Sequence, residues 1–129
     1  MYSKLIEPYI KEYINELDKS IIVDIIDYSM KDGKCIRGFI VKHLMNIISN
    51  NELDFWETIV IVEIVNTVSI ILDDLPCMDN DKYRRNKLCT HLKFGESESI
   101  LTSFYMISEV NKLFNKFIEK ISCEYDESK

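Results

Sequence analysis

The chain has 129 residues, 47% of them hydrophobic, and a formal net charge of −6. That length fits one domain with a real core, and the acidic balance argues against nucleic acid as the main partner. Cysteines at 35, 77, 89 and 123 match neither zinc-knuckle nor redox-pair spacing, so free thiols in a reducing, cytoplasmic setting are expected.

With three glycines and two prolines, long helices are easy and hairpins poorly signalled. Residues 2–13 already carry charges at helical spacing, so no signal peptide is expected. Leu5, Ile6, Tyr9, Ile10, Tyr13, Ile14 and Leu17 recur in steps of three and four, predicting one amphipathic helix. Ser20 caps a second helix reaching Met30, and Asp32-Gly33 breaks it. A third runs from Ile36 to about Ile48 with Phe39, Ile40, Leu44 and Ile47 on one side; Asn50-Asn51 ends it. Asp54-Phe55-Trp56-Glu57 reads as a capping box opening a long helix to about Leu75. Residues 55–72 are apolar enough to suggest a membrane span, but Glu57 and Glu63 lie inside them and Asp73-Asp74 end them. Charges at mid-bilayer are expensive, so a buried core helix, with no transmembrane segment, is the reading. A buried strand at Ile59-Val60-Ile61-Val62 is the rival, decided against because no turn residue interrupts the stretch. Residues 76–95 read as a polar loop with one short helical turn. The last helix, residues 96–122, carries Ile100, Leu101, Phe104, Ile107, Leu113, Phe114, Phe117, Ile118 and Ile121. One all-α helical domain over residues 1–123, with residues 124–129 as a frayed tail, is the expected organisation.

The segment after the long helix carries the chemistry. Asp73, Asp74, Asp79 and Asp81 are followed at once by Lys82, Arg84, Arg85 and Lys87. Carboxylates in a helix's last turn are disfavoured by about 0.3–1 kcal/mol each, a cost that a bound cation reverses. Guanidinium groups match phosphate oxygens. Acid then base suits a phosphorylated ligand held through Mg2+. A solvated acidic helix end is the plain alternative, and the adjacent Arg84-Arg85 weighs against it. Upstream, Gly33 allows a sharp turn before a helix whose first turn places Lys34 and Arg37 together. Alone, such a pair is usually solvated.

These segments resemble the N-terminal half of a trans-prenyl diphosphate synthase, of the family making farnesyl and geranylgeranyl diphosphate. The resemblance covers roughly residues 30–106 and rests on "DDLPCMDNDKYRRNK", "THLKFGESESIL", "GKCIRG" and "EIVNTVSIILDD". It implies a helical bundle like the N-terminal half of the isoprenoid synthase fold. It implies that Asp73 and Asp79, with Asp74 in support, bind Mg2+ bridging to an allylic prenyl diphosphate, and that Arg84 contacts that diphosphate. Lys34, Arg37 and Arg85 would hold isopentenyl diphosphate, helped weakly by Asn66, which stands where the family has histidine. In the family, loss of diphosphate leaves an allylic cation, which the second substrate's double bond attacks before a proton departs. Residues just before the first Asp pair set product length; here they are Val68 and Ser69, without an aromatic ring, implying geranylgeranyl length or longer.

The chain departs from the family at Cys35 for arginine, Gly38 for proline, and Ser103-Phe104 for Gly-Asp. No second aspartate-rich motif occurs within it, which puts catalysis by this chain alone in doubt. Four readings therefore stay open: a synthase retaining transferase activity, a noncatalytic subunit binding Mg2+ and prenyl diphosphates, a piece of a longer enzyme, and a helical interaction protein. Half a bundle leaves apolar area exposed, so a homodimer, or a heteromer with a full-length synthase, is expected. His91 is read as a surface histidine, His43 as structural or solvated, and Trp56 as a core or interface aromatic. Cys77 and Cys89 flank the candidate site, with free thiols preferred over a redox or metal role.

Overall fold

A computed structural model describes residues 1–127. Its elements are α1 (Tyr2–Glu16), α2 (Ile21–Met30), α3 (Ile36–Ser49), α4 (Trp56–Asp73), β1 (Tyr83–Arg84), β2 (Lys87–Leu88), α5 (Thr90–Phe94) and α6 (Glu96–Glu127). The all-α expectation is met: the only sheet among the described residues is the antiparallel pair β1–β2, with Tyr83 opposite Leu88 and Arg84 opposite Lys87.

Local chemistry sets the breaks. The Ser20 side chain accepts a hydrogen bond from the Val23 amide at 3.4 Å and starts α2. Asp32 and Cys35 adopt φ of 61° and 54°, so the chain reverses between α2 and α3. Asn50 and Asn51, at 51° and 61°, end α3 in the left-handed region that asparagine tolerates better than most residues. The expected capping box at α4 does not form. Asp54 Oδ1 accepts only from Trp56 N at 3.3 Å, and Glu57 turns into the core instead.

Helix α4 is the central element, packed on α1, α2, α3 and α6. Ile59, Val60, Ile64, Val68 and Ile71 are buried, against Ile6, Ile10 and Tyr13 of α1, Ile26 and Met30 of α2, and Met106, Leu113 and Phe117 of α6. Burial on several sides explains why α4 reads as almost uniformly apolar. Its two buried acids are both answered. Glu57 Oε2 accepts from Lys120 Nζ at 2.9 Å, while Oε1 lies 2.7 Å from the same ammonium. Glu63 Oε1 accepts from Gly38 N at 2.7 Å, satisfying a free amide in the first turn of α3. No helix among the described residues is long and apolar enough to cross a membrane.

Two helices differ from their predicted faces. Within α3 only Gly38 is buried, while Ile40, Leu44 and Ile47 are exposed, because α3 sits at the margin against α1 and α4. At Gly38 the approach is close: an added Cβ would lie 3.0 Å from Ile6 Cγ2 and 3.1 Å from Glu63 Oε1. The first half of α6 buries Ser99, Thr102 and Ser103 and leaves Leu101, Phe104 and Ile107 outside. The helix also continues through Glu127, into the stretch expected to fray; residues 128–129 lie outside the described ones.

Candidate diphosphate-binding site

The end of α4 does not lead straight into an open loop. Leu75 N donates to Leu72 O at 3.3 Å, Asp79 N to Asp73 O at 2.8 Å, and Asn80 N to Leu75 O at 3.0 Å. Residues 74–80 thus coil back over the helix terminus, satisfying carbonyls that would otherwise be orphaned. The same turn brings Asp79 beside Asp73. Both are exposed, and neither has an ion-pair partner among the described residues.

Asp74 behaves differently. It is 2% exposed and takes a two-pronged grip from Arg84: Nη2 donates to Oδ1 at 2.6 Å and Nε to Oδ2 at 3.2 Å. Asp81 lies 3.5 Å from the same Nη2. This pairing raises the Arg84 pKa further, the Asp74 hydrogen bond being the main cause, so the guanidinium stays charged at any working pH. Asp74 therefore orients Arg84, and its oxygens are already engaged.

The hairpin turn holds the next arginine. Arg85 and Asn86 have φ of 52° and 61°, the left-handed pair that a two-residue turn with the native twist requires. Arg85 Nη1 donates to Lys31 O at 3.1 Å and Ser29 O at 3.4 Å, and Lys87 Nζ donates to Tyr28 O. Two cations from the hairpin thus cap the carbonyl end of α2, where the helix dipole favours positive charge. Burial lowers the Lys87 pKa, opposed by Asp32 at 3.9 Å.

An open cleft of about 700 Å³ lies between these elements, lined by Lys34, Arg37, Asn66, Arg84 and Arg85, with Asp32, Glu63, Ile70 and Asn86. Five residues singled out from sequence for diphosphate contacts thus share one cavity, although they come from three separate stretches of chain. Cys35, in the same lining, is buried, and burial with nearby Glu63 pushes its thiol up to about 11. It contributes no cation where the family pattern has arginine. Glu63, Asp32 and Asn86 were missed as cleft residues; Glu63 was legible only as a charge interrupting an apolar helix. Val68 is buried in the core, whereas Ser69 is exposed with its hydroxyl on Asn66 O at 2.7 Å.

His91 is buried rather than on the surface, because α5 packs onto α6, and its Nδ1 has no partner among the described residues. His43 is exposed, its ring edge-on to Phe39 with centroids 4.3 Å apart. Trp56 is half-buried beneath the Lys116 ammonium, 4.8 Å from its ring. Cys89 is buried beside Asp74, its thiol pushed up to about 11 by burial and by that carboxylate; Cys77 is exposed. Among the described residues no group of three or more His, Cys, Asp or Glu is arranged to hold a metal.

Comparison with known proteins decides the lineage. A family profile described as polyprenyl synthetase matches residues 19–126. The chain belongs to the polyprenyl synthetase family. Farnesyl diphosphate synthase of Bacillus subtilis is 34% identical over 94% of the chain and 42% of its own length. The enzyme of that name from Buchnera aphidicola is 36% identical over 84% of the chain and 40% of its own length. Among solved structures, a geranyltransferase of Legionella pneumophila superposes with a TM-score of 0.80 at 27% identity, over 92% of this chain and 42% of that one. A geranyltranstransferase of Thermotoga maritima gives 0.72 at 30% identity, over 98% and 49%. This polyprenyl synthetase chain thus has the isoprenoid synthase fold and spans about two-fifths of the length of these curated relatives.

Proposed function

We propose that this polyprenyl synthetase chain binds an allylic prenyl diphosphate through Mg2+ at Asp73 and Asp79 and holds a second diphosphate, that of isopentenyl diphosphate, in the basic cleft. The observation that carries this reading is the convergence of Lys34, Arg37, Arg84 and Arg85 on one cleft beside the α4 terminus. Asp73 and Asp79 fit a hard divalent ion of this kind. Mg2+ commonly takes one or two protein carboxylates and completes its shell with substrate phosphate oxygens and water. When bound, Mg2+ supplies charge that stabilises a departing diphosphate.

The chain's own residues do the rest. Asp74 fixes the Arg84 fork so that its remaining N–H groups face the anion without reorganising, which is where preorganised charge is most effective. Arg85 keeps two donors on α2 carbonyls and presents the others to the cleft. Arg37 stands on the first turn of α3 and Lys34, contrary to the sequence expectation, just before its N-cap Cys35, both beside a helix N-terminus that adds positive potential. Asn66 donates an uncharged hydrogen bond, and Cys35 none of comparable strength, so the isopentenyl half of the site is weaker than the allylic half. No aromatic ring stands at Val68 or Ser69, which supports geranylgeranyl length or longer for any product. The exposed apolar side chains of α3 and α6, among them Ile40, Leu44, Phe104 and Phe114, favour a homodimer, or a heteromer with a full-length synthase.

Incubating the purified chain with Mg2+, farnesyl diphosphate and radiolabelled isopentenyl diphosphate tests for transfer. Labelled prenyl diphosphates longer than farnesyl are expected if the chain is competent by itself. Binding of both diphosphates without product restricts it to ligand binding, and no binding of either refutes the assignment.

A further inference from the structure

The first turn of α3 has no capping side chain of its own. Its N-cap, Cys35, sits at φ 54° and its side chain accepts no helix amide. The acceptor comes instead from another helix: Glu63 of α4, buried, takes the Gly38 amide at 2.7 Å. The family pattern has proline at this position, and a proline has no N–H to give. Glycine also sets the depth of the contact. A Cβ on Gly38 would lie 3.0 Å from Ile6 Cγ2, 3.1 Å from Glu63 Oε1 and 3.2 Å from Glu63 Cγ, all tighter than ordinary packing. The turn is thus pressed against α1 and α4 together.

This bond sits beside the basic cleft. Elsewhere α3 is loosely held: Gly38 is its one buried residue, and Ile36, Ile40, Leu44 and Ile47 are exposed. Arg37 directly precedes Gly38, Lys34 comes shortly before it, and both line the cleft with Glu63. Glu63, Asn66 and Ile70 follow one another at steps of three and four on one face of α4, and all three line the same cleft. Fixing Gly38 on Glu63 therefore fixes the spacing between the α3 cations and the Asn66 face. The negative charge itself opposes an anionic ligand, so the useful part of Glu63 is a correctly placed acceptor oxygen.

We propose that Glu63 is a positioning residue for the basic cleft: through the Gly38 amide it holds the first turn of α3 at the distance from α4 at which Lys34 and Arg37 grip one diphosphate. This rests on the reading that the cleft holds isopentenyl diphosphate, so one of its two measurements uses no ligand.

Two substitutions separate position from charge. Glu63→Gln keeps an acceptor oxygen at the same reach and removes the charge. Glu63→Asp keeps the charge and withdraws the oxygen by one methylene. Without ligand, hydrogen exchange followed by NMR is expected to show the Gly38 amide protected in the unsubstituted chain and in Glu63→Gln, and fast in Glu63→Asp, with unchanged circular dichroism in all three. Calorimetric titration with isopentenyl diphosphate is expected to give equal or tighter binding in Glu63→Gln and roughly ten-fold weaker binding in Glu63→Asp, the scale of one hydrogen bond to a charged group. Farnesyl diphosphate with Mg2+ should bind all three alike, which a general loss of structure would not allow. Equal exchange at Gly38 in both variants, or an isopentenyl diphosphate affinity that follows the charge instead of the oxygen, would overturn the proposal and leave the cleft assignment standing. If the unsubstituted chain binds no isopentenyl diphosphate while Gly38 exchanges as expected, the cleft assignment falls and the positioning role falls with it.

Discussion

Asp73 and Asp74 are adjacent and chemically identical, yet they should respond to the same substitution in opposite ways. Asp74 is 2% exposed and holds Arg84 through two hydrogen bonds of 2.6 and 3.2 Å. A hydrogen bond to a charged group contributes about 1.5–3 kcal/mol, and removing one member of a buried pair costs about 3–5 kcal/mol. The Arg84 side chain is 40% exposed and partly screened by water, which brings the expected loss for Asp74→Asn down to about 2–3 kcal/mol. For a chain of this size that lowers Tm by roughly 6–15 °C. Asp73 is exposed in the last turn of α4, where a negative charge opposes the helix dipole. Asp73→Asn should therefore leave stability unchanged or raise it by about 0.3–1 kcal/mol. Urea unfolding followed by circular dichroism measures both. A double-mutant cycle of Asp74→Asn with Arg84→Gln should return a coupling of about 1–2 kcal/mol. If Asp74→Asn shifts stability by less than about 0.5 kcal/mol, or by the same amount and sign as Asp73→Asn, Asp74 does not position Arg84 and the division of labour between the two carboxylates is wrong.

Glu57→Gln removes the charge that answers Lys120 inside the α4–α6 contact, and should destabilise the chain by about 2–4 kcal/mol in guanidinium unfolding; a loss no larger than that of an exposed control such as Glu52→Gln would contradict the pairing. In the native protein a thiol reagent should modify Cys77 and Cys123 quickly and Cys35 and Cys89 only on unfolding, as mass spectrometry of the labelled chain would show. Cys35 and Cys89 are held at about 11 by burial, above the ordinary value of about 8.5 for a free thiol. A raised acid contributes stability that is full below the unfolded pKa and lost as pH rises through the folded one, so the urea midpoint should fall across that window; a flat profile there would argue against both sites.

Much of the fold was legible because four helix boundaries coincide with residues of clear local preference: Ser20 as a cap, Asp32-Gly33, Asn50-Asn51, and the acids that end α4. The face of α6 was misjudged because apolar spacing identifies a helix but not which neighbour covers it. There the small residues Ser99, Thr102 and Ser103 take the interior, the Ser99 and Ser103 hydroxyls being satisfied by carbonyls one turn back. The hairpin at Tyr83–Leu88 was hidden because Arg85-Asn86 lacks the glycine that usually marks a two-residue turn. At the site, residue types were readable and partners were not. The composition of the segment signalled acids and cations, but only the three-dimensional arrangement separates Asp74, which is spent on Arg84, from Asp73 and Asp79, which are free of ion pairs among the described residues. Glu63 shows the same gap: its partner is a backbone amide at Gly38, 25 positions away, and no side-chain pattern encodes that bond.

Calorimetric titration of the chain with farnesyl diphosphate, with and without Mg2+, is the most direct test of the site at the α4 terminus. Affinity should depend on Mg2+ and be lost in the double variant Asp73→Ala with Asp79→Ala, while the folded state, read by circular dichroism, is retained. Undiminished Mg2+-dependent binding in that variant would place the ligand elsewhere and contradict the assignment.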